Sequence, residues 1–436
     1  MRDLIIIALV LAGSFAALRK PWIGILVWTW LSLMNPHRFA WGIAYDAPLA
    51  AISAACTLVG LFITRDRSSP FKGSPTIWLA LFSVWLTISW LMGLDPNGEY
   101  YQWNKIFKIN LMIFVALALL HSKAQIMTFA WVVIASIALL GLKGGVFTLA
   151  SGGNFRVWGP PGSFIEDNNE FALSVIMTIP LLQFLRMQVS NRWLKWGLVA
   201  TMLCCAASAL GSHSRGGFLA ISAMVLYFWW RGKNKLPMAI VFVLVGVLLL
   251  LFMPEHWTER MRSIDDYQED DSAMGRIHAW VVAWNYALRH PFGAGFNLAR
   301  PELFALYAPE SGSTHAAHSI YFQVMGNHGF IGLLLYLGIW ITTWRSASAL
   351  IRLGKLNMQT KWCQDLGTMA QVSLLAYAVG GAFLSLAYFD LPYDLMVVVV
   401  CARVWLKKEL WKTEPETAPR WLKLLGGGPA PKPLTP

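Results

Sequence analysis

The sequence predicts an all-α, polytopic membrane protein of about twelve transmembrane helices with a small helical cap outside the bilayer. Three observations carry this. Of 436 residues, 56% are hydrophobic and only 13% charged, against about 25% charged in soluble domains. The mean hydropathy is +0.51. Thirteen apolar runs recur along the chain, most of them separated by short polar connectors.

In order, the runs cover 4–18, 22–34, 47–63, 77–92, 106–120, 126–142, 171–185, 196–210, 218–230, 236–253, 320–344, 366–389 and 391–405. A spanning helix needs about 20 apolar residues, and several runs are shorter, so about twelve crossings are expected. Run 4–18 after Arg2 resembles a secretion-signal core, but no small-residue cleavage site precedes Arg19 and Lys20, and it reads as a retained anchor. The chain divides into N-terminal transmembrane helices (1–150), further helices with a first polar loop and an arginine motif (151–253), a large polar loop or cap (254–318), C-terminal transmembrane helices (319–408) and a flexible tail (409–436) that ends GGGPAPKPLTP. Within the cap, Ile277, Trp280, Val281, Trp284 and Ala287/Leu288 recur at helical spacing and predict an amphipathic helix that ends at Pro291 and rests on the membrane surface or on the bundle.

The formal charge of +12 could suit nucleic acid, but the cations are dispersed through the connectors, as the positive-inside rule expects. Arg65/Arg67/Lys72, Arg186/Arg192/Lys195, Arg231/Lys233/Lys235, Arg345/Arg352/Lys355/Lys361 and Lys407/Lys408/Lys412 read as cytoplasmic. They place 154–169, 211–215 and 254–318 on the far side. Thirteen full spans would also put Met1 outside, so one early run is expected not to cross fully. The 5 cysteines offer no disulfide frame or metal knuckle, and no Walker, Rossmann or HExxH pattern occurs.

Chemistry is sought on the far side. Arg215, in GSHSRGGFLA, sits where two apolar runs meet, and a guanidinium there can grip phosphate oxygens with two parallel hydrogen bonds; the alternative is an interfacial arginine reaching to headgroups. Arg276 is read at the start of the cap helix, where a cation is disfavoured by the helix dipole, so it implies a negative partner, either a ligand or the acidic run DDYQEDD. Arg156 lies in the first loop, ahead of Asp167 and Asn168, either of which can cap the following helix. His318 stands where the cap turns into an apolar run. A free imidazole, with a pKa near 6.5, can accept a hydroxyl proton at neutral pH. His315, His328 and His213 are rivals, and a zinc site built from these histidines lacks a completing spacing.

Together these segments resemble the O-antigen ligase (WaaL) family of the O-antigen ligase/polymerase superfamily. The long loop ending in His318-Ser319, followed by Gly329 and Gly332, resembles the family's histidine motif. Arg215 to Leu219 is similar to its R-x-x-x-L motif, and GRIHAW…HPFGAGFN, with Arg276, Trp280, Pro291, Gly293 and Gly295, resembles the segment before the histidine. The N-terminal third, with MNPHRFAWGIAY, is similar to exosortase-associated O-glycosylation ligases. The resemblance implies a GT-C-like glycosyltransferase of the bacterial inner membrane, with its site facing the periplasm. It implies transfer of a glycan from undecaprenyl diphosphate to a sugar hydroxyl of lipid A-core, inverting and metal-independent, without a cofactor. His318 would be the base and Arg215, Arg276 and Arg156 the diphosphate ligands, with Ser319, Gly329, Trp280 and Asn168 in support. A polysaccharide polymerase or protein O-oligosaccharyltransferase using the same donor is the alternative. A flippase would instead place its charges deep in the helices.

Overall fold

A computed structural model describes residues 1–232, 234–255, 257 and 271–414. The acidic run at 265–270, Lys233 and the tail from 415 onward lie outside the described residues. Within them the chain is all-helical, with no strand. The helices are α1 (Arg2–Arg19), α2 (Pro21–Met34), α3 (Leu49–Ile63), α4 (Ser74–Leu91), α5 (Tyr100–Leu119), α6 (Lys123–Ala150), α7 (Asn168–Gln188), α8 (Arg192–Gly211), α9 (Arg215–Arg231), α10 (Lys235–Phe252), α11 (Asp271–Arg289), α12 (Pro301–Tyr307), α13 (Ile320–Gly354), α14 (Lys361–Gly380) and α15 (Asp390–Lys407).

Each of the thirteen apolar runs holds a helix. Among the described residues six helices are long and apolar enough to cross a membrane: α4, α6, α7, α8, α13 and the stretch containing α14. Three shorter apolar helices, Pro21–Met34, Leu49–Ile63 and Lys235–Leu248, fall below that length. This is a multi-pass membrane protein. Local signals set several helix starts: Ser122 and Gln125 form a capping box at α6, Asn191 caps α8 and Ser214 caps α9.

The core lies among α6, α7, α13, α14 and α15, with α15 buried from Asp390 to Ala402. At the N-terminus α1 packs on α2 and α3, and Gly60 lies against the Ala17 carbonyl where a Cβ would stand 2.3 Å away, so small residues let these backbones approach.

Three expectations are corrected. Run 366–389 is not one helix: α14 ends at Gly380, a 3-10 turn follows at Gly381–Phe383, and 384–389 is an irregular segment. Gly380 and Gly381 there press on Leu173 and Ile320. Arg276 does not start its helix, because α11 begins at Asp271 and Arg276 lies in its second turn. The cap helix also packs only part of its expected face against the bundle, Ala287 being buried and Ile277 and Trp280 half-buried. Ala279, Val282, Ala283, Tyr286 and Ala287 are inside, whereas Val281, Trp284 and Leu288 are 38–60% exposed. The reason is steric, since Ala283 meets Gly326 of α13 at a distance that larger residues could not reach.

Candidate active site

Three segments meet at one end of the bundle. Asp167 caps α7, its carboxylate accepting the Asn169 backbone N–H at 2.8 Å. Asn168, 3% exposed, turns inward and donates through Nδ2 to the Ser212 carbonyl at 2.6 Å. That bond ties the start of α7 to the turn before Arg215, the first residue of α9. Loop 151–167 joins them where the Val157 N–H donates to the Gly211 carbonyl at 3.0 Å. His213 Nε2 lies 2.9 Å from the Gly153 carbonyl. Arg215 is half-buried, and Gly216 leaves just enough room for Phe383 and Leu384 beside it. Arg156 is exposed on its loop.

His318 precedes α13 in a left-handed backbone conformation, φ 40°, uncommon for a residue with a side chain. Its Nδ1 faces Glu170 Oε1 at 3.8 Å, close enough for an ion-pair contact and too long for a hydrogen bond. Glu170 is 6% exposed, and its Oε1 accepts the Ser385 backbone N–H at 3.3 Å, supplied by the irregular segment after α14. Its Oε2 and the hydroxyl of Ser319 are buried with no hydrogen-bond partner among the described residues. A buried polar atom left unpaired costs about 1–3 kcal/mol, so two of them beside a half-exposed imidazole mark a place that a polar ligand completes. Burial works to raise the Asp167 carboxyl, but the hydrogen bonds around it outweigh burial and hold it below the usual carboxylate range, among them those from the Asn169 backbone N–H and Nδ2 at 2.8 Å each.

The cap helix fixes the other flank. Trp280 Nε1 donates to the Ala317 carbonyl at 2.7 Å, and its ring stacks on Phe322 with centroids 4.9 Å apart and planes 6° off parallel. His318 is thus held between two anchored neighbours. Arg276, one turn before Trp280, shares its helix face and is half-buried.

The remaining histidines separate by environment. His328 is fully buried, with Nδ1 2.7 Å from Ser89 Oγ and Nε2 2.6 Å from the Tyr388 hydroxyl, so it is a packing residue. His315 is half-buried and pairs with Ser313 at 2.8 Å. Among the described residues no group of three or more His, Cys, Asp or Glu side chains could hold a metal ion.

Gly329 supports the site from a distance. Its φ of 69° breaks α13, and the carbonyls this frees are taken up by other chain segments. The Ala294 and Gly295 N–H groups donate to Gly326 and Asn327 at 3.0 and 2.9 Å, and the Trp85 indole donates to His328 at 2.8 Å. A Cβ on Gly329 would stand 2.1 Å from the Pro291 carbonyl. The glycines of both motifs therefore bind each other's backbone.

Sequence reasoning missed Glu170. Its place at the end of EDNNE, the third residue of α7, reads as ordinary first-turn acid, and only the fold brings it to a histidine 148 positions later.

Residues 200–337 match the family described as O-antigen ligase (Wzy_C). Residues 1–190 match a family of unknown function (DUF5935). No curated protein matches the chain.

Proposed function

We propose, from the match of residues 200–337 to the family described as O-antigen ligase, that this chain transfers a glycan from an undecaprenyl-diphosphate carrier to a sugar hydroxyl of lipid A-core, at the periplasmic face of the inner membrane. About twelve crossings and a periplasmic cap belong to the same reading. The observation that carries it is the His318–Glu170 pair, a half-exposed imidazole whose Nδ1 faces a buried carboxyl at 3.8 Å, with His318 inside the segment that matches the O-antigen ligase family and two buried polar atoms without partners beside it.

The chemistry follows from the geometry. Glu170 on the Nδ1 side favours the tautomer with a proton there, which leaves Nε2 as the basic atom. Nε2 takes the acceptor hydroxyl proton as that oxygen bonds to the anomeric carbon. The bond from this carbon to the carrier phosphate breaks from the opposite face, its electron pair leaves with the diphosphate, and the anomeric centre inverts. Negative charge grows on phosphate oxygens, where fixed cations are most effective. Arg215 and Arg276 take that role, with Arg156 an outlying third. Asn168 and Trp280 hold the segments carrying Arg215 and His318, Ser319 offers its buried hydroxyl to substrate, and Gly329 keeps the bent helix. The reaction as read needs no metal or cofactor.

The test uses purified protein with undecaprenyl-diphosphate glycan and lipid A-core, with and without EDTA. Product that survives EDTA and disappears in His318→Ala supports the reading, the base being worth about 10²–10⁴-fold. Product formed equally by His318→Ala would overturn the mechanism. Chain extension or protein labelling in place of lipid A-core ligation would assign the chain to a polymerase or protein O-oligosaccharyltransferase, the outcome that the N-terminal resemblance favours.

A further inference from the structure

At the other end of the bundle the connector after α3, the turn after α5 and the end of α15 enclose a cleft of about 350 Å³. α15 reports the separation: its 18 residues span about 27 Å, close to the ~30 Å hydrocarbon core. Its first residue follows the segment that carries Ser385 onto Glu170, and its last lines the cleft.

Lys72, His121, Lys407 and Lys408 face this space, with Phe71 and Val404 among its apolar walls. Among the described residues none of the three lysines is paired with a carboxylate. Lys72 Nζ donates to the Leu120 carbonyl at 2.8 Å. The nearby carboxylates are committed elsewhere, Asp66 to His121 Nε2 at 3.0 Å and Glu409 to Lys412 at 2.6 Å. Burial pushes the Lys72 ammonium below its ordinary value; the Cys401 thiol opposes this and the Lys408 charge adds to it. Three lysines gathered around one cavity, none of them paired with a carboxylate among the described residues, describe an anion site.

We propose that this cleft binds the phosphate of an anionic phospholipid headgroup, the lysines gripping the phosphate and an acyl chain lying along the apolar wall. A soluble phosphate would have no use for that wall, and Phe71, 59% exposed, is out of place unless lipid covers it. The cleft lies at the end of α15, about one hydrocarbon thickness from its start, and basic pockets between helices hold such lipids.

The experiment reconstitutes the full chain into nanodiscs of equal phosphatidylcholine and phosphatidylglycerol, extracts it into detergent and counts retained lipids by native mass spectrometry. Phosphatidylglycerol should be retained at least about 5-fold over phosphatidylcholine. Lys407→Glu/Lys408→Glu should abolish the preference, and Lys407→Arg/Lys408→Arg should keep it. Lys72 is left intact because it holds the end of α5, and Lys408→Gln alone, expected to halve the preference, serves if the double reversal does not fold. Equal retention of the two lipids, or a preference that survives charge reversal, overturns the proposal. Inorganic phosphate binding at this site without any lipid preference overturns the lipid assignment and leaves a soluble anion. The readout is lipid retention, so it stands apart from glycan transfer.

Discussion

Glu170 Oε1 needs to move only about 1 Å to accept a hydrogen bond from His318 Nδ1, and substrate entering beside it excludes the water that otherwise competes. Glu170→Gln keeps the shape and removes the charge. It should lower kcat about 10–100-fold, the range that outer partners of functional histidines carry, with a much smaller change in KM; unchanged kcat would separate the carboxyl from the chemistry. Asp167 gives a second test through pH. Its carboxyl is held below the usual range, so the stability it adds is complete above the unfolded value of about 3.9 and is lost as pH falls through the folded one. Asn also caps helices, so Asp167→Asn isolates the charge. The melting temperature of wild type should exceed that of the variant at pH 7, and the gap should close below about pH 4. His318, Arg215 and Arg276 stood out in the sequence as candidates because of where they lie relative to the apolar runs. Glu170 did not, because its acidic side chain also satisfies a helix start, and local pattern cannot distinguish the two uses.

The bent α13 shows why some motifs read as chemistry turn out to be architecture. Gly329→Ala meets the Pro291 carbonyl at 2.1 Å and forces a side chain onto a φ of 69°. It should destabilise the protein by at least about 1–3 kcal/mol, seen as a lower melting temperature, with transfer lost in proportion to folded protein. A variant as stable as wild type would show that the bend relaxes freely. The helices themselves were legible from apolar runs, and their ends from Ser122, Asn191 and Ser214. The buried face of α11 was legible only in part. Large aromatic residues point to one face, but contact distance is set by Ala279 and Ala283 opposite Gly326, and a hydropathy pattern does not register smallness.

Across the whole molecule, the first turn of α1 and the site share an end. Asp3 Oδ1 accepts the Gly42 and Ala44 N–H groups at 3.0 and 3.1 Å, and Arg38 of the same connector approaches Gly162 in the loop before Asp167. α1 and α2 thus run as a hairpin that returns to the site's end, so Met1 lies at that end, while α2 and α3 remain shorter than a full span. Single cysteines placed at Asn154 and Asp3 in a cysteine-free background should react with an impermeant maleimide from the same side of sealed vesicles, and one at Lys408 only from the other. Labelling of all three from one side would contradict the arrangement. The cationic connectors led to the expectation of sidedness that this labelling tests, whereas the number of full crossings depends on helix lengths that apolar runs alone leave open.

The two matched segments, 1–190 and 200–337, divide the proposed acid–base pair between them, Glu170 falling in the first and His318 in the second. Neither segment is therefore a portable module. A chimera that exchanges one for its counterpart from another protein should transfer glycan only where the incoming half brings a carboxyl to the imidazole, so recombination within this gene is expected to be silent at either end and costly near the junction.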